Sequence, residues 1–270
     1  MGATTSAEIE VEGLRIAYRR AGDGAPLVLL HGYVGDGRAT WQRQLDELAD
    51  EFTVVAWDAP GAGRSSDPPE SCRLPDNADC LAAFVSALGL DRPHVVGLSF
   101  GGGLALELYR RHPEVPKTLV LAGAYAGWAG SLPPDDVERR LQQALRLADL
   151  EPDLLVREVI PTLVSESASA ALVGEFAASM SQFHPAGLRA MARAFAEADL
   201  REVLPCVDVP TLLLFGDRDV RAPLNVAHDL HAAIPGSQLV VLTGVGHLSC
   251  VEAPQRFNAE VRAFLRSVQS

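Results

Sequence analysis

The sequence predicts an α/β fold with a mostly parallel sheet, helices on both faces of the sheet and one helical insertion. Apolar runs that do not alternate with polar residues recur along the 270 residues, and helical patterns lie between them. Such runs are typical of strands covered on both faces, and strand–helix alternation favours parallel pairing. From about residue 125 to residue 206 no such run occurs, which predicts the insertion.

The strands are predicted in chain order, beginning with a hairpin. Residues 8–19 alternate around a glycine, which indicates two strands joined by a turn. Six later runs are continuous and apolar. Each is therefore expected to form a strand covered on both faces: 26–32, 52–58, 93–99, 117–123, 210–217 and 237–244.

The helices are predicted from apolar residues that recur on one helical stripe. Five of them belong to the sheet-forming part of the chain: 41–50, 77–89, 102–113, 223–235 and 254–267. Four more fill the insertion, at 133–148, 152–164, 167–180 and 185–199, and three have a proline where the first turn should begin. We therefore expect a core of residues 1–124 and 207–270 and a helical unit of residues 125–206.

Charge and composition exclude several kinds of partner. The net charge is −12 and no basic run is present, so nucleic acid is not an expected partner. No stretch approaches the roughly 20 apolar residues that span a bilayer, so no membrane association is expected. The N-terminal residues do not form a secretory signal, and the four cysteines show no zinc-type spacing. We expect a cytoplasmic location, and the sequence leaves the oligomeric state open.

Residues 97–101 read Gly-Leu-Ser-Phe-Gly, after a predicted strand and at the start of a predicted helix. A serine on a sharp strand-to-helix turn is exposed as a nucleophile, and the turn requires small flanking residues, here Gly97 and Gly101. The helix N-terminus behind Ser99 also offers free N–H groups. The pattern alone is weak in a chain rich in glycine, because Ser99 could be an ordinary turn residue.

A serine nucleophile needs a base, and the base needs an acid that orients it. Asp217 and Asp219 are predicted in a loop after one strand, and His247 in a loop after the last strand. All follow the carboxyl ends of strands, where ligands bind in open α/β sheets. The order serine, aspartate, histidine fits a catalytic triad, and either aspartate could be its acid.

Oxyanion stabilisation is predicted for two backbone N–H groups. Gly32 lets the chain turn after the first buried strand, so Tyr33 can present its N–H. The N–H of Phe100, the residue after Ser99, would be the second donor. His31 is expected to brace its own loop through backbone hydrogen bonds.

Five motifs in a fixed order carry a resemblance to a known family: HGY (31–33), DAPGAGRS (58–65), GLSFGG (97–102), GDRDVRAP (216–223) and GHLSCVEAPQRF (246–257). The sequence resembles α/β-hydrolase fold enzymes over nearly its whole length. The resemblance implies that Ser99 is the nucleophile, His247 the base and Asp219, rather than Asp217, the acid. It also implies that Tyr33 and Phe100 are the oxyanion donors and that residues 125–206 form a cap over the site.

Three residues in or next to the insertion are candidates for the substrate pocket. Tyr125 and Trp128 follow a strand and lead into the insertion, so they are candidate pocket walls, although packing between cap and core would explain them equally. His184 lies within the insertion and could line the pocket. A role at a helix boundary is the alternative for His184.

The resemblance implies a serine hydrolase that cleaves a carboxylic ester or lactone of a small to medium, apolar molecule through an acyl-enzyme. This chemistry needs neither a metal ion nor an organic cofactor. Carbon–carbon bond hydrolases are an alternative, although Leu248 stands where they usually carry tryptophan. A biosynthetic acyl transferase or thioesterase and a small-molecule receptor are further alternatives with the same residues.

Overall fold

The computed structural model describes residues 4–180 and 183–268 and contains an eight-stranded sheet. The order across the sheet is β1-β2-β4-β3-β5-β6-β7-β8. β1 and β2 pair antiparallel, β2 pairs antiparallel with β4, and the remaining neighbours are parallel. The strands are β1 Thr5–Val11, β2 Leu14–Ala21, β3 Ala25–Leu30, β4 Phe52–Trp57, β5 His94–Leu98, β6 Thr118–Ala122, β7 Thr211–Gly216 and β8 Gln238–Leu242.

Helices cover both faces of this sheet, and buried side chains form one cluster on each face. Two helices on one face, α2 and α3, bury the large aromatic side chains Phe84 and Phe100, whereas α1 and α10 bury Trp41 and Phe257 on the other. The predicted α/β class with a mostly parallel sheet is therefore confirmed. The sheet-flanking helices are α1 Gly37–Leu48, α2 Leu74–Ala87, α3 Phe100–Arg111, α8 Leu224–Ala233, α9 Ser249–Glu252 and α10 Pro254–Ser267.

The last strand departs from the prediction that every apolar run is covered on both faces. β8 is the edge of the sheet and pairs with β7 alone, so parts of it reach solvent, and Val241 is 37 % exposed. The apolar run predicted the strand correctly but not its position, because a run of apolar residues does not distinguish an edge strand from a central one.

Four α-helices and a short 3-10 helix, Leu204–Cys206, lie between β6 and β7 in the described residues, where the sequence predicts no strand. The α-helices are α4 Pro134–Leu147, α5 Pro152–Leu163, α6 Ala170–Met180 and α7 Pro185–Glu197. Pro134, Pro152 and Pro185 each occupy a first turn, as expected, because proline has no N–H to lose there. None of the helices in the described residues has the length and apolar character needed to cross a membrane.

These helices lie over the loops at the carboxyl ends of the parallel strands. The N–H of Leu248, which follows β8, donates to the carbonyl of Leu163 at the end of α5 over 2.8 Å. Gly187 in α7 packs so closely on Gly61, after β4, that neither position has room for a side chain. The insertion therefore contacts the loops at the carboxyl ends of the strands, where the predicted site residues are found.

Candidate active site

Ser99 occupies a strained turn between β5 and α3. Its backbone has φ 53° and ψ −110°, a conformation that residues other than glycine rarely adopt. Its N–H donates to the Ala122 carbonyl over 2.8 Å, and its own carbonyl accepts from Gly102 and Gly103. The strain is thus held in place by hydrogen bonds to β6 and to the first turn of α3.

The glycines on either side of this turn are required by close backbone approaches. A Cβ at Gly97 would collide with the carbonyl of Gly101. A Cβ at Gly101 would collide with the carbonyl of Leu30, at the end of β3. Both positions therefore admit only glycine without a shift of the backbone, which is the requirement that the sequence predicted for them.

His247 and Asp219 form a buried pair. His247 Nδ1 lies 2.7 Å from Asp219 Oδ2, and the two side chains are 4 % and 0 % exposed. Asp219 Oδ1 accepts from the backbone N–H groups of Arg221, at 2.8 Å, and Ala222, at 2.7 Å. Because both carboxylate oxygens are engaged, Asp219 is fixed in orientation and fixes the plane of the imidazole ring.

Asp217, the other candidate acid, has a different environment. Its Oδ1 accepts from the backbone N–H of Gly244 at 2.6 Å, which joins the loop after β7 to the loop after β8. The side chain is partly exposed, with Arg218 3.9 Å away. Of the two aspartates, the structure brings only Asp219 to His247.

Ser99 and His247 line the same small cavity, together with Tyr33, Leu163 and Arg221. Its volume is about 20 Å³, which is enough for roughly one water molecule. Within the described chain, Ser99 Oγ makes no hydrogen bond to His247. Catalytic hydrogen bonds of this kind are often long in the absence of substrate and tighten when it binds.

The loop after β3 is held beside Ser99 by His31. The backbone N–H of Ala59 donates to His31 Nε2 at 3.0 Å, so the ring proton is on Nδ1, which donates to the Gly32 carbonyl at 2.6 Å. The expected bracing role of His31 is thus observed. A Cβ at Gly32 would lie 3.7 Å from the Cβ of Ser99, which shows how near the two backbones run.

Phe100 opens α3, where backbone N–H groups have no partner within the helix. Tyr33 follows Gly32 in the neighbouring loop. Its ring packs edge-on against Trp128, with ring centroids 5.9 Å apart, and its hydroxyl accepts from Arg221 Nη1 at 2.7 Å. Phe100 directly follows Ser99 in the chain, and Tyr33 lines the same cavity as Ser99. The role of their N–H groups as oxyanion donors stays a prediction.

Arg221 is a residue that the sequence reasoning did not single out, although it lies inside the GDRDVRAP motif. Its Nε and Nη2 atoms donate to Thr162 Oγ1 of α5 at 2.9 and 2.8 Å. With the bond to Tyr33, its side chain connects the loop after β7, the loop after β3 and the insertion. Only these long-range contacts distinguish it from the neighbouring arginine at position 218.

The three candidate pocket residues occupy different places. Tyr125 and Trp128 are buried and pack against Phe195 of α7, with centroid distances of 6.2 and 5.6 Å, and neither lines the cavity of Ser99. His184 precedes α7 and lies 2.7 Å from Asp67. It lines a second cavity of about 20 Å³ that adjoins the first at Tyr33. Their role in substrate binding stays a prediction.

Asp58 shapes the loop that follows β4. Its two oxygens accept from the backbone N–H groups of Gly37, at 2.9 Å, and Arg64, at 3.0 Å. Burial, and then the nearby charge of Asp36, raise the pKa of this carboxyl.

In the part of the chain that the structure describes, no three His, Cys, Asp or Glu side chains are grouped so that they could hold a metal ion.

Comparison with known proteins identifies the class to which this fold and site belong. The sequence model of the alpha/beta hydrolase fold matches residues 25–254. The chain therefore belongs to the alpha/beta hydrolase fold family, and the resemblance inferred from the five motifs is confirmed.

Individual relatives are similar over almost the whole chain. The structure of a thermophilic esterase from Thermogutta terrifontis with malate bound superposes with a TM-score of 0.89 at 30 % identity, and the match covers 98 % of this chain and 100 % of that chain. The dihydrolipoyllysine-residue acetyltransferase component of the acetoin cleaving system of Cupriavidus necator is 30 % identical over 95 % of this chain and 68 % of its own length. An enol-lactonase from Burkholderia xenovorans LB400 shares the fold, with a TM-score of 0.85, 24 % identity and coverage of 96 % and 100 %. This chain is thus similar to hydrolases of its family.

Proposed function

We propose that this hydrolase cleaves a carboxylic ester or lactone of a small to medium, largely apolar molecule through an acyl-enzyme on Ser99. The observation that carries the proposal is the strained Ser99 turn, which shares a cavity with His247, whose ring Asp219 holds at 2.7 Å. A structural role alone would not require a buried serine, histidine and aspartate at the ends of three different strands. Similarity to an esterase at 30 % identity supports the same reaction class.

In the first step, Ser99 Oγ attacks the carbonyl carbon and its proton passes to His247 Nε2. The carbonyl π bond breaks, and the resulting oxyanion is held by the backbone N–H groups of Tyr33 and Phe100. His247 then gives the proton to the departing alkoxide oxygen, which leaves as an alcohol. Water repeats the sequence on the acyl-enzyme and releases the carboxylic acid.

Asp219 serves this mechanism by fixing one tautomer of His247. Its carboxylate accepts a hydrogen bond from Nδ1–H, so Nε2 carries no proton and is free to receive the one from Ser99. When the imidazolium forms, the buried negative charge stabilises it. The two backbone N–H groups on Asp219 Oδ1 keep the carboxylate from turning away.

We further propose that residues 125–206 act as a cap over a core of residues 1–124 and 207–270. Cavities of about 20 Å³ are too small for an acyl group, so substrate entry requires α5–α7 to move. This movement would break polar contacts between the insertion and the core. Glu252 accepts from the N–H of Ser165 at 3.0 Å, and Arg221 donates to Thr162 at 2.9 Å. Arg43 pairs with Glu175 of α6, and His184 contacts Asp67.

Acyl transfer to an acceptor other than water is the second candidate. It is favoured by the similarity to an acetyltransferase component at 30 % identity, and it would use the same acyl-enzyme on Ser99. The two functions differ only in the step that resolves this intermediate. An added alcohol or amine that competes with water for the acyl group would identify the transferase.

The test is the intact mass of the protein after incubation with a fluorophosphonate, for wild type and Ser99→Ala, with turnover of p-nitrophenyl butyrate measured in parallel. We expect one adduct on wild type, none on the variant, and many turnovers for wild type only. Circular dichroism of Ser99→Ala provides the control for folding. A fluorophosphonate adduct on folded Ser99→Ala would contradict the assignment of the nucleophile. If wild type forms the adduct but hydrolyses only about one equivalent of p-nitrophenyl butyrate, the result would favour a receptor.

A further inference from the structure

The guanidinium of Arg221 is a half-buried positive charge without an acidic partner. Within the described residues, no Asp or Glu oxygen lies within 4.0 Å of it, whereas most arginines with a contact on this protein pair with a carboxylate. Its side-chain partners are the neutral hydroxyls of Thr162 and Tyr33. A counter-charge stabilises a cation that is removed in part from water, and the described residues place none within ion-pair distance of this guanidinium.

The position of Arg221 indicates where that counter-charge would lie. Arg221 lines the cavity that Ser99 and His247 share. Thr162 and Tyr33 hold the planar group from two sides, and these bonds leave part of its donor capacity unused. The side chain is therefore oriented in advance beside the proposed nucleophile, with N–H groups to spare.

A second arginine adds to the positive charge. Arg140 on α4 donates from Nη2 to the backbone carbonyl of Arg221 and from Nη1 to the hydroxyl of Tyr125, both at 2.9 Å. It too lacks a carboxylate within ion-pair distance in the described residues. The charges of Arg140, Arg221 and Asp219 all act on the Tyr125 hydroxyl, so one carboxylate accompanies two cations in this region. A bound anion would balance the remaining positive charge.

We propose that Arg221 forms a carboxylate subsite, so that the preferred substrate is an ester whose otherwise apolar chain carries one carboxylate a few atoms from the scissile carbonyl. The inference rests on the proposed function, because it names the substrate class of that same site. A planar guanidinium fork matches a carboxylate in geometry as well as charge. The apolar walls given by Leu163 and Leu248 would contact the methylene groups between the two ends of the substrate.

The alternative role for Arg221 is positioning alone, since it holds Tyr33 and thereby the oxyanion loop. The two roles differ in their effect on matched substrates. Loss of a positioning residue slows all esters alike. Loss of a carboxylate partner slows anionic esters far more than neutral ones.

The experiment compares the monomethyl esters of succinate, glutarate and adipate with analogues in which the free carboxylate is replaced by a neutral carboxamide. Both members of each pair keep the methyl ester, so methanol release gives kcat/KM for each. We expect wild type to prefer the best anionic ester to its amide isostere by at least about tenfold. In Arg221→Gln this ratio should fall by roughly 10- to 100-fold, and Arg221→Lys should retain part of it because it keeps the charge without the fork. Arg218→Gln, an equal change of charge at an exposed site of the same loop, should keep the wild-type ratio.

Two results would overturn the subsite. One is a wild-type ratio near one for all three chain lengths, and the other is an equal loss for both members of each pair in Arg221→Gln. In either case, labelling of Ser99 and turnover of neutral esters would leave the proposed function intact. If the Arg221 variants do not fold, binding to a protein that keeps Arg221 tests the subsite. Glutarate, and not glutaramide, should raise the melting temperature of Ser99→Ala. Equal effects of the two compounds would also contradict the subsite.

Discussion

His247 Nδ1 lies 2.7 Å from Asp219 Oδ2 inside the protein, although the two residues belong to different loops, after β8 and after β7. Two backbone N–H groups hold the other oxygen of Asp219. Asp217, two residues earlier, faces the Gly244 N–H instead. The geometry therefore distinguishes two aspartates that share a loop, and the difference can be tested.

We expect Asp219→Asn to lower kcat roughly 10³- to 10⁴-fold, because the amide would favour the wrong tautomer of His247 and could not stabilise its cation. Asp217→Asn is the matched control and should lower kcat less than about threefold. Steady-state kinetics with p-nitrophenyl butyrate measure both. The reverse ranking of the two variants would move the acid to Asp217.

The strain at Ser99 predicts a difference in stability between two inactive variants. Glycine adopts positive φ values without a steric penalty, whereas alanine does not. We therefore expect the free energy of unfolding of Ser99→Gly to exceed that of Ser99→Ala by about 1 kcal/mol, despite the greater entropy of glycine in the unfolded chain. Urea denaturation of both variants measures this. Equal stability would mean that the turn relaxes once the hydroxyl is removed.

A methyl group at Gly101 should disrupt the turn from the other side. Its Cβ would collide with the Leu30 carbonyl in the core, so we expect Gly101→Ala to cost about 1–3 kcal/mol of stability and most of the activity. Gly174→Ala is the control: it lies within α6 with open space around the new methyl group. That change should be neutral or stabilise by up to roughly 1 kcal/mol. Thermal denaturation compares the two, and similar melting temperatures would count against the close approach.

His94 makes stability depend on pH below neutrality. It is 1 % exposed, and burial, together with the charge of Lys117, lowers its pKa from 6.5 to about 4. The unfolded chain therefore takes up a proton below pH 6.5 that the folded protein takes up only near pH 4. Between pH 7 and pH 5 the free energy of unfolding should fall by about 2 kcal/mol from this residue alone.

The replacement His94→Gln tests this dependence, because glutamine can keep a hydrogen bond to Thr118, 2.9 Å from His94 Nδ1, but does not titrate. Urea denaturation at pH 7 and pH 5 gives the loss of stability for each protein. The variant should lose about 2 kcal/mol less than wild type over this interval. Parallel losses in the two proteins would assign the acid sensitivity to other groups.

Most of the fold could be predicted from local sequence patterns. Buried strands and helices differ in the period of their apolar residues, and proline or glycine marks their ends, so all eight strands and the principal helices were placed within a few residues. The predicted helix boundaries were less accurate where the hydrogen bond of an N-cap side chain decides where the helix begins. Helix α1 begins four residues before the predicted start, at Gly37, because Asp36 accepts from the Ala39 N–H at 2.7 Å.

The sequence by itself also determined the order of Ser99, Asp219 and His247 along the chain and the need for glycine at positions 97 and 101. Each of these residues lies in a short motif of adjacent residues, and such a motif can be identified from the sequence. The family motif already favoured Asp219 over Asp217, and the tertiary structure supplied the contact of Asp219 with His247. The tertiary structure alone decided that β8 is an edge strand and that Arg221 reaches Tyr33 and Thr162. Such contacts join residues up to 188 positions apart. They depend on strand order and side-chain direction, which no local periodicity encodes.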